Sequence, residues 1–376
     1  MSFSVHLLLF ISFSSICLSY GKLANFGVPN YSCSDDVMKP SKKVPTNVNS
    51  VRPADIKVVM ALGDSITAAN GAGAEDPVAV ILQYRGLAFQ AGGDYTLTEH
   101  ATIPNILKKY NPNLFGYSNG IGSPNVWEIA RLNVAVPGAE AKDLPSQARS
   151  LVSLLKQHTQ EVDLKNDWKL LNIFIGGNDA CGYCRHPEYA PQNCADNIEE
   201  AIRIVFESVP RVIVSITGML QLQILRQTDH GHFFCERLHK DECGCELNKT
   251  VTNDQLGTYG INYTNDEIKI QNSGKYDTND FTVVVQPFFR DMTAPPSSQI
   301  FFAPDCFHFS QYGHGIVTTW LWKNILEPVN YKTTIGDMNN AALPLACPDP
   351  TCPFIRTVKN SGNCSPYMTA VADSKL

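Results

Sequence analysis

Five short apolar runs, at 56–62, 132–136, 170–175, 212–216 and 281–285, constrain this 376-residue chain more than any other feature. They are rich in branched residues and several are almost continuously apolar, as parallel strands covered on both faces are. Between them the period changes to a helical one. Leu144, Ala148, Leu151 and Leu155 share one face, as do Ile198, Ile202, Val205 and Phe206, and a last helix is expected over 312–326, ahead of Pro328. Strands alternating with helices predict an α/β fold, a three-layer α/β/α sandwich with helices on both sides of a central parallel sheet. An apolar fraction of 44% and a charged fraction of 18% supply a sizeable core and exclude disorder for most of the chain. A net charge of -6 without a long basic run leaves no footprint for nucleic acid.

Residues 1–21 read as a signal peptide. Leu7, Leu8, Leu9, Phe10, Ile11 and Phe13 form an apolar run too short to span a bilayer, and Ser19 and Gly21 offer small residues for cleavage. No later segment is long and apolar enough for a membrane anchor, so a secreted, extracellular chain is expected. Of the twelve cysteines one, Cys17, falls in this segment. The other eleven are expected to give five disulfides and one thiol, with connectivity open. Cys181, Cys184, Cys243 and Cys245 could instead hold zinc, which is the less favoured reading. Sequons at Asn30, Asn248, Asn262 and Asn363 are compatible with a secreted glycoprotein. The terminal Ser374-Lys375-Leu376 matches a peroxisomal address that a signal peptide overrides. The remaining organisation is an N-terminal arm over 22–54, one domain over 55–330 with a polar, cysteine-bearing insertion at 218–280, and a surface wrap over 331–376. The oligomeric state stays open.

The chemistry begins where the first run ends, at Gly63-Asp64-Ser65. A serine between a strand end and a following helix presents its hydroxyl at the carboxyl edge of the sheet, where open α/β folds bind ligands. It is not the elbow G-x-S-x-G, because Thr67 stands in place of the second glycine. Serine needs a base. His308 follows Asp305 by three residues, a spacing that lets the carboxylate hold one imidazole nitrogen while the other faces the serine. His232 has the same spacing from Asp229 but lies in the polar insertion, and His314, in Gly313-His314-Gly315, has no nearby carboxylate. A metal pair of His308 and His314 lacks a third ligand. Gly138, after the second run, and Asn178, after the third, place a close backbone approach and an amide donor at two more strand ends.

With these residues in view the sequence resembles the GDSL or SGNH hydrolases. Gly63-Asp64-Ser65-Ile66-Thr67, Gly138, Gly176-Gly177-Asn178-Asp179 and Asp305-Cys306-Phe307-His308 stand for its blocks. Tyr84-Arg85-Gly86, Ile103-Pro104-Asn105-Ile106-Leu107, Asp143-Leu144-Pro145-Ser146-Gln147-Ala148 and Val283-Val284-Val285-Gln286-Pro287-Phe288 are similar to its phospholipase B branch, over roughly residues 50–330. The resemblance implies an esterase acting through an acyl-enzyme on phospholipids and lysophospholipids at a membrane or micelle surface. It implies Ser65 as nucleophile, His308 as general acid and base, and Asp305 as its orienter. The oxyanion hole is then Ser65, Gly138 and Asn178, with no cofactor and no metal. An esterase for acetylated sugars and a non-catalytic lipid-binding protein of the same fold remain open. So do two roles for Met219, Leu220, Leu222, Ile224 and Leu225, which could line an acyl groove or pack as core.

Overall fold

A computed structural model describes residues 23–229 and 233–372. The signal peptide, His230, His232 and the terminal tripeptide lie outside them. Four strands, β1 (Ile56–Gly63), β2 (Trp168–Phe174), β3 (Val212–Thr217) and β4 (Phe281–Gln286), pair in parallel in the order β1-β2-β3-β4. Register runs from Leu62 opposite Ile173 to Ile216 opposite both Ile173 and Val285. All but one of the strand residues are buried, which is why their sequences show continuous apolar runs and not alternation.

The run at 132–136 departs from expectation, because it forms no full strand. It adds a single bridge, Asn133 to Ala61, at the free edge of β1, and shares that edge with a bridge from Phe115 to Val58. The Asn133 side chain turns inward to donate to the Thr67 carbonyl, and Pro137, which has no N–H, ends the pairing.

Three crossover helices, α1 (Leu144–Gln157), α2 (Pro191–Ser208) and α3 (Asn253–Asn272), pack against one another beside the sheet. The last of these revises the reading of 218–280 as one rim insertion. Leu256, Gly260, Tyr263 and Ile270 recur on the buried face of α3, so only the part before it, with two shorter helices, Gln223–Asp229 and Phe233–Glu242, lies outside the crossover helices. Met219, Leu220, Leu222, Ile224 and Leu225 are all buried in the main core, which decides for packing over an acyl groove.

The final helix, α4 (Gln311–Leu326), is buried on nearly every side. The segment after it accounts for this: Trp322 Nε1 donates to the Ala346 carbonyl at 2.7 Å and Arg356 N to the Ile325 carbonyl at 3.0 Å. Five disulfides join Cys33–Cys347, Cys181–Cys243, Cys184–Cys245, Cys235–Cys306 and Cys352–Cys364, leaving Cys194 free and buried. The four sulfurs that could have bound zinc are therefore paired with one another. No described helix is long and apolar enough to cross a membrane.

Candidate active site

Gly63 closes β1 at a point where no side chain fits. A Cβ there would lie 2.4 Å from the Phe174 carbonyl oxygen and 2.2 Å from Thr67 Oγ1. The Gln147 amide clasps the same residue, accepting from Gly63 N at 2.9 Å and donating to its carbonyl at 2.8 Å. The chain then enters a single turn, not the helix expected after Ser65. Ala68 N donates to the Asp64 carbonyl, Asn70 N to the Ser65 carbonyl, and Asp64 Oδ1 accepts from Ile66 N at 2.9 Å. Asp64 is buried, and that burial pushes its carboxyl up to about 6.

The turn places the Ser65 hydroxyl 2.7 Å from His308 Nε2. His308 Nδ1 lies 2.5 Å from Asp305 Oδ2, and Asp305 Oδ1 accepts from the backbone N–H of both Phe307 and His308 at 3.1 Å. Cys306, with φ of 64°, bends the chain between them so that the carboxylate can fold back on its own loop. Burial alone favours neutral forms of both groups. The attraction between them outweighs it, raising the imidazole and holding Asp305 below the usual carboxylate range.

Gly138 and Asn178 line one polar cavity of about 320 Å³. Gly138 has φ of 77° and faces open space, and neither its N–H nor that of Ser65 donates a hydrogen bond among the described residues. Asn178 spends one amide hydrogen on the Ala139 carbonyl, at 2.8 Å, which leaves the other free to point elsewhere. Asp179 Oδ2 accepts from Ala141 N at 3.0 Å, so two bonds fix the Gly138 segment against the short helix Gly177–Tyr183. His314 stands apart. It is fully buried and stacked on Phe89, it accepts from Phe89 N, and burial holds its imidazole well below its ordinary value, so it serves the core and is no rival base.

Two supporting side chains enter the sequence reading only as part of the resemblance, with no role assigned to either. Gln147 sits among Leu144, Ala148 and Leu151 on the apolar face of its helix, and a lone amide in such a stripe is a readable signal. Arg85 is fully buried and donates to the carbonyls of Gly122, Asn133 and Ala135, bracing the segment that leads to Gly138. Nothing in its spacing distinguishes it from a surface arginine.

The profile of the GDSL-like Lipase/Acylhydrolase family matches residues 59–321. The human protein named phospholipase B1, membrane-associated, is 42% identical over 339 residues, which cover 86% of this chain and 23% of that protein. The mouse protein of the same name is 40% identical over 345 residues, and the rat protein 41% over 346, each covering 88% of this chain. The chain thus spans about a quarter of the length of these relatives, at 23% in each case.

Proposed function

Because the chain belongs to the GDSL-like lipase/acylhydrolase family and is a carboxylic ester hydrolase, we propose that it is a secreted serine esterase removing fatty acyl chains from phospholipids and lysophospholipids. The observation that carries the mechanism is the line from Asp305 through His308 to Ser65. In this reading His308 Nε2 takes the Ser65 proton as Oγ attacks the ester carbonyl. The developing oxyanion is met by the N–H groups of Ser65 and Gly138 and by the free Asn178 amide hydrogen. His308 then protonates the departing glycerol oxygen, and water releases the acyl group by the same steps in reverse order.

The name of the relatives supports a phospholipid, and so do two hollows. One, of about 400 Å³, is walled by Ile300, Phe302, Ala303 and Pro304 and adjoins the loop that carries Asp305, which suits an acyl chain. The polar cavity at Gly138 and Asn178 also carries Arg185 and Lys240, cations of the kind that meet a phosphate, beside the carboxylates of Glu140 and Glu242. Secretion is supported by the five disulfides. Glycosylation fits Asn30, Asn262 and Asn363, which are exposed.

Product analysis on a phosphatidylcholine with different acyl chains at its two positions tests the substrate. Release of both fatty acids, ending in the deacylated headgroup, is expected. Turnover of acetyl esters alone, or of no ester, would replace this reading with one of the two alternatives. The pH profile tests His308 separately. A base must be neutral to act, so kcat/KM falls as pH drops through the His308 pKa, which Asp305 sets above the ordinary 6.5. In Asp305→Asn the raising charge is gone while burial remains, so the acid limb moves to lower pH as the rate falls. An acid limb that stays in place would show that another group titrates.

A further inference from the structure

Asp229, His239 and Glu246 meet in the segment ahead of α3, and all three are fully buried or nearly so. Asp229 ends the helix Gln223–Asp229, His239 stands on the helix Phe233–Glu242, and Glu246 follows the Cys184–Cys245 disulfide. One ligand atom from each lies within 4.8 Å of the others. His239 Nδ1 is 2.5 Å from Asp229 Oδ2 and 3.7 Å from Glu246 Oε2. Even so, Nδ1 and all four carboxylate oxygens lack a directed hydrogen bond among the described residues.

That is an unusual debt for a protein interior, where buried carboxylates are paired, hydrogen-bonded or bound to metal. An imidazolium neutralises one of the two carboxylates and leaves the other. The nearest guanidinium, Arg226, gives its hydrogens to the backbone carbonyls of Cys245, Glu246, Asn248 and Val251, not to the Glu246 carboxylate. A divalent cation with neutral His239 balances both charges and supplies every ligand with a partner. His239 is already oriented for that role, because its Nε2 donates to the Asp305 carbonyl at 2.9 Å and turns Nδ1 toward the carboxylates. One nitrogen and two carboxylates suit zinc, whereas calcium takes about six to eight oxygens. Zinc bonds of about 2.0–2.2 Å put tetrahedral ligand atoms roughly 3.4 Å apart. On binding, Asp229 Oδ2, now 2.5 Å from His239 Nδ1, would draw back by about 0.9 Å, while Glu246 Oε2, at 3.7 Å, is close to that spacing already.

We propose that Asp229, His239 and Glu246 bind a structural zinc-class ion that fastens this segment, through His239, to the backbone of the Asp305 loop. The ion takes no part in ester chemistry. With the Cys235–Cys306 disulfide it gives the loop a second fastening to the same helix. The effect on turnover rests on the esterase reading; binding of the ion does not.

The test uses the full chain, secreted and purified in metal-free buffer, with zinc content measured by mass spectrometry and melting followed with and without added zinc. About one zinc per chain and a higher Tm with zinc are expected, since a ligand that binds only the folded state stabilises it. Glu246→Gln and Asp229→Asn should each weaken zinc binding by about tenfold or more and shrink the Tm shift. Removing zinc from the wild type should lower kcat while leaving KM near its value. A wild-type chain that takes up no stoichiometric zinc from excess, and melts alike with zinc and chelator, overturns the proposal even if the variants do not fold. Binding without any change in kcat keeps the site and removes its role at the loop.

Discussion

Ser65→Ala and His308→Ala should each remove nearly all esterase turnover, by at least about 10⁴-fold, in proteins that fold normally. The two losses should not add. In the proposed mechanism each group works only through the other: Oγ is a poor nucleophile while it keeps its proton, and the imidazole has nothing to activate once the hydroxyl is gone. Ser65 Oγ and His308 Nε2 are 2.7 Å apart, so the pair is poised for that transfer before substrate arrives. Asp305→Ala should cost roughly ten- to a hundredfold less, since it steadies the imidazole and does not handle the proton. The structural cost should be small for Ser65, whose hydroxyl bonds only to His308 among the described residues. Circular dichroism and melting of each variant separate a lost function from a lost fold.

Asn178→Ala should lower kcat by about 10²–10³, or about 3–4 kcal/mol, with little change in KM. The reason lies in timing. The ester carbonyl is only weakly basic in the ground state, and the full charge that the amide hydrogen meets exists only near the transition state, so the loss falls on kcat. Part of the effect is positional, because the same amide holds the Ala139 carbonyl and with it the turn bearing Gly138. Asn178→Asp keeps the size of the side chain but has no N–H for either the Ala139 carbonyl or the oxyanion and adds a negative charge, so it should be no better than alanine. A variant that mainly raises KM would assign Asn178 to substrate binding.

What the sequence made legible follows from how local the signals are. The four strands announce themselves because burial on both faces removes polar residues from them. Asp305 and His308 lie three residues apart, so one turn brings them together and a spacing argument suffices to pair them. The helix Asn253–Asn272 was harder to read, because its buried positions include Thr264, Glu267 and Gln271 beside Leu256 and Tyr263, and the apolar stripe is broken. The run at 132–136 looks like a strand in composition, yet Asn133 is spent on holding the Ser65 turn. The buried trio is the least legible. Asp229 appears to the eye as the partner of His232, three residues on, whereas in the fold its carboxylate meets His239 on the next helix. Only tertiary packing brings His239 to it.

Trapping the acyl-enzyme reads the central claim directly. The enzyme is mixed with a slowly turned-over long-chain p-nitrophenyl ester, quenched in acid within the first turnovers, digested and mapped by mass spectrometry. The acyl mass is expected on the peptide that contains Ser65 and on no other. It should be absent from Ser65→Ala, and in Asn178→Ala it should form more slowly at the same residue. An acyl group carried by another residue, or an active Ser65→Ala protein with no acylated peptide, would contradict the account.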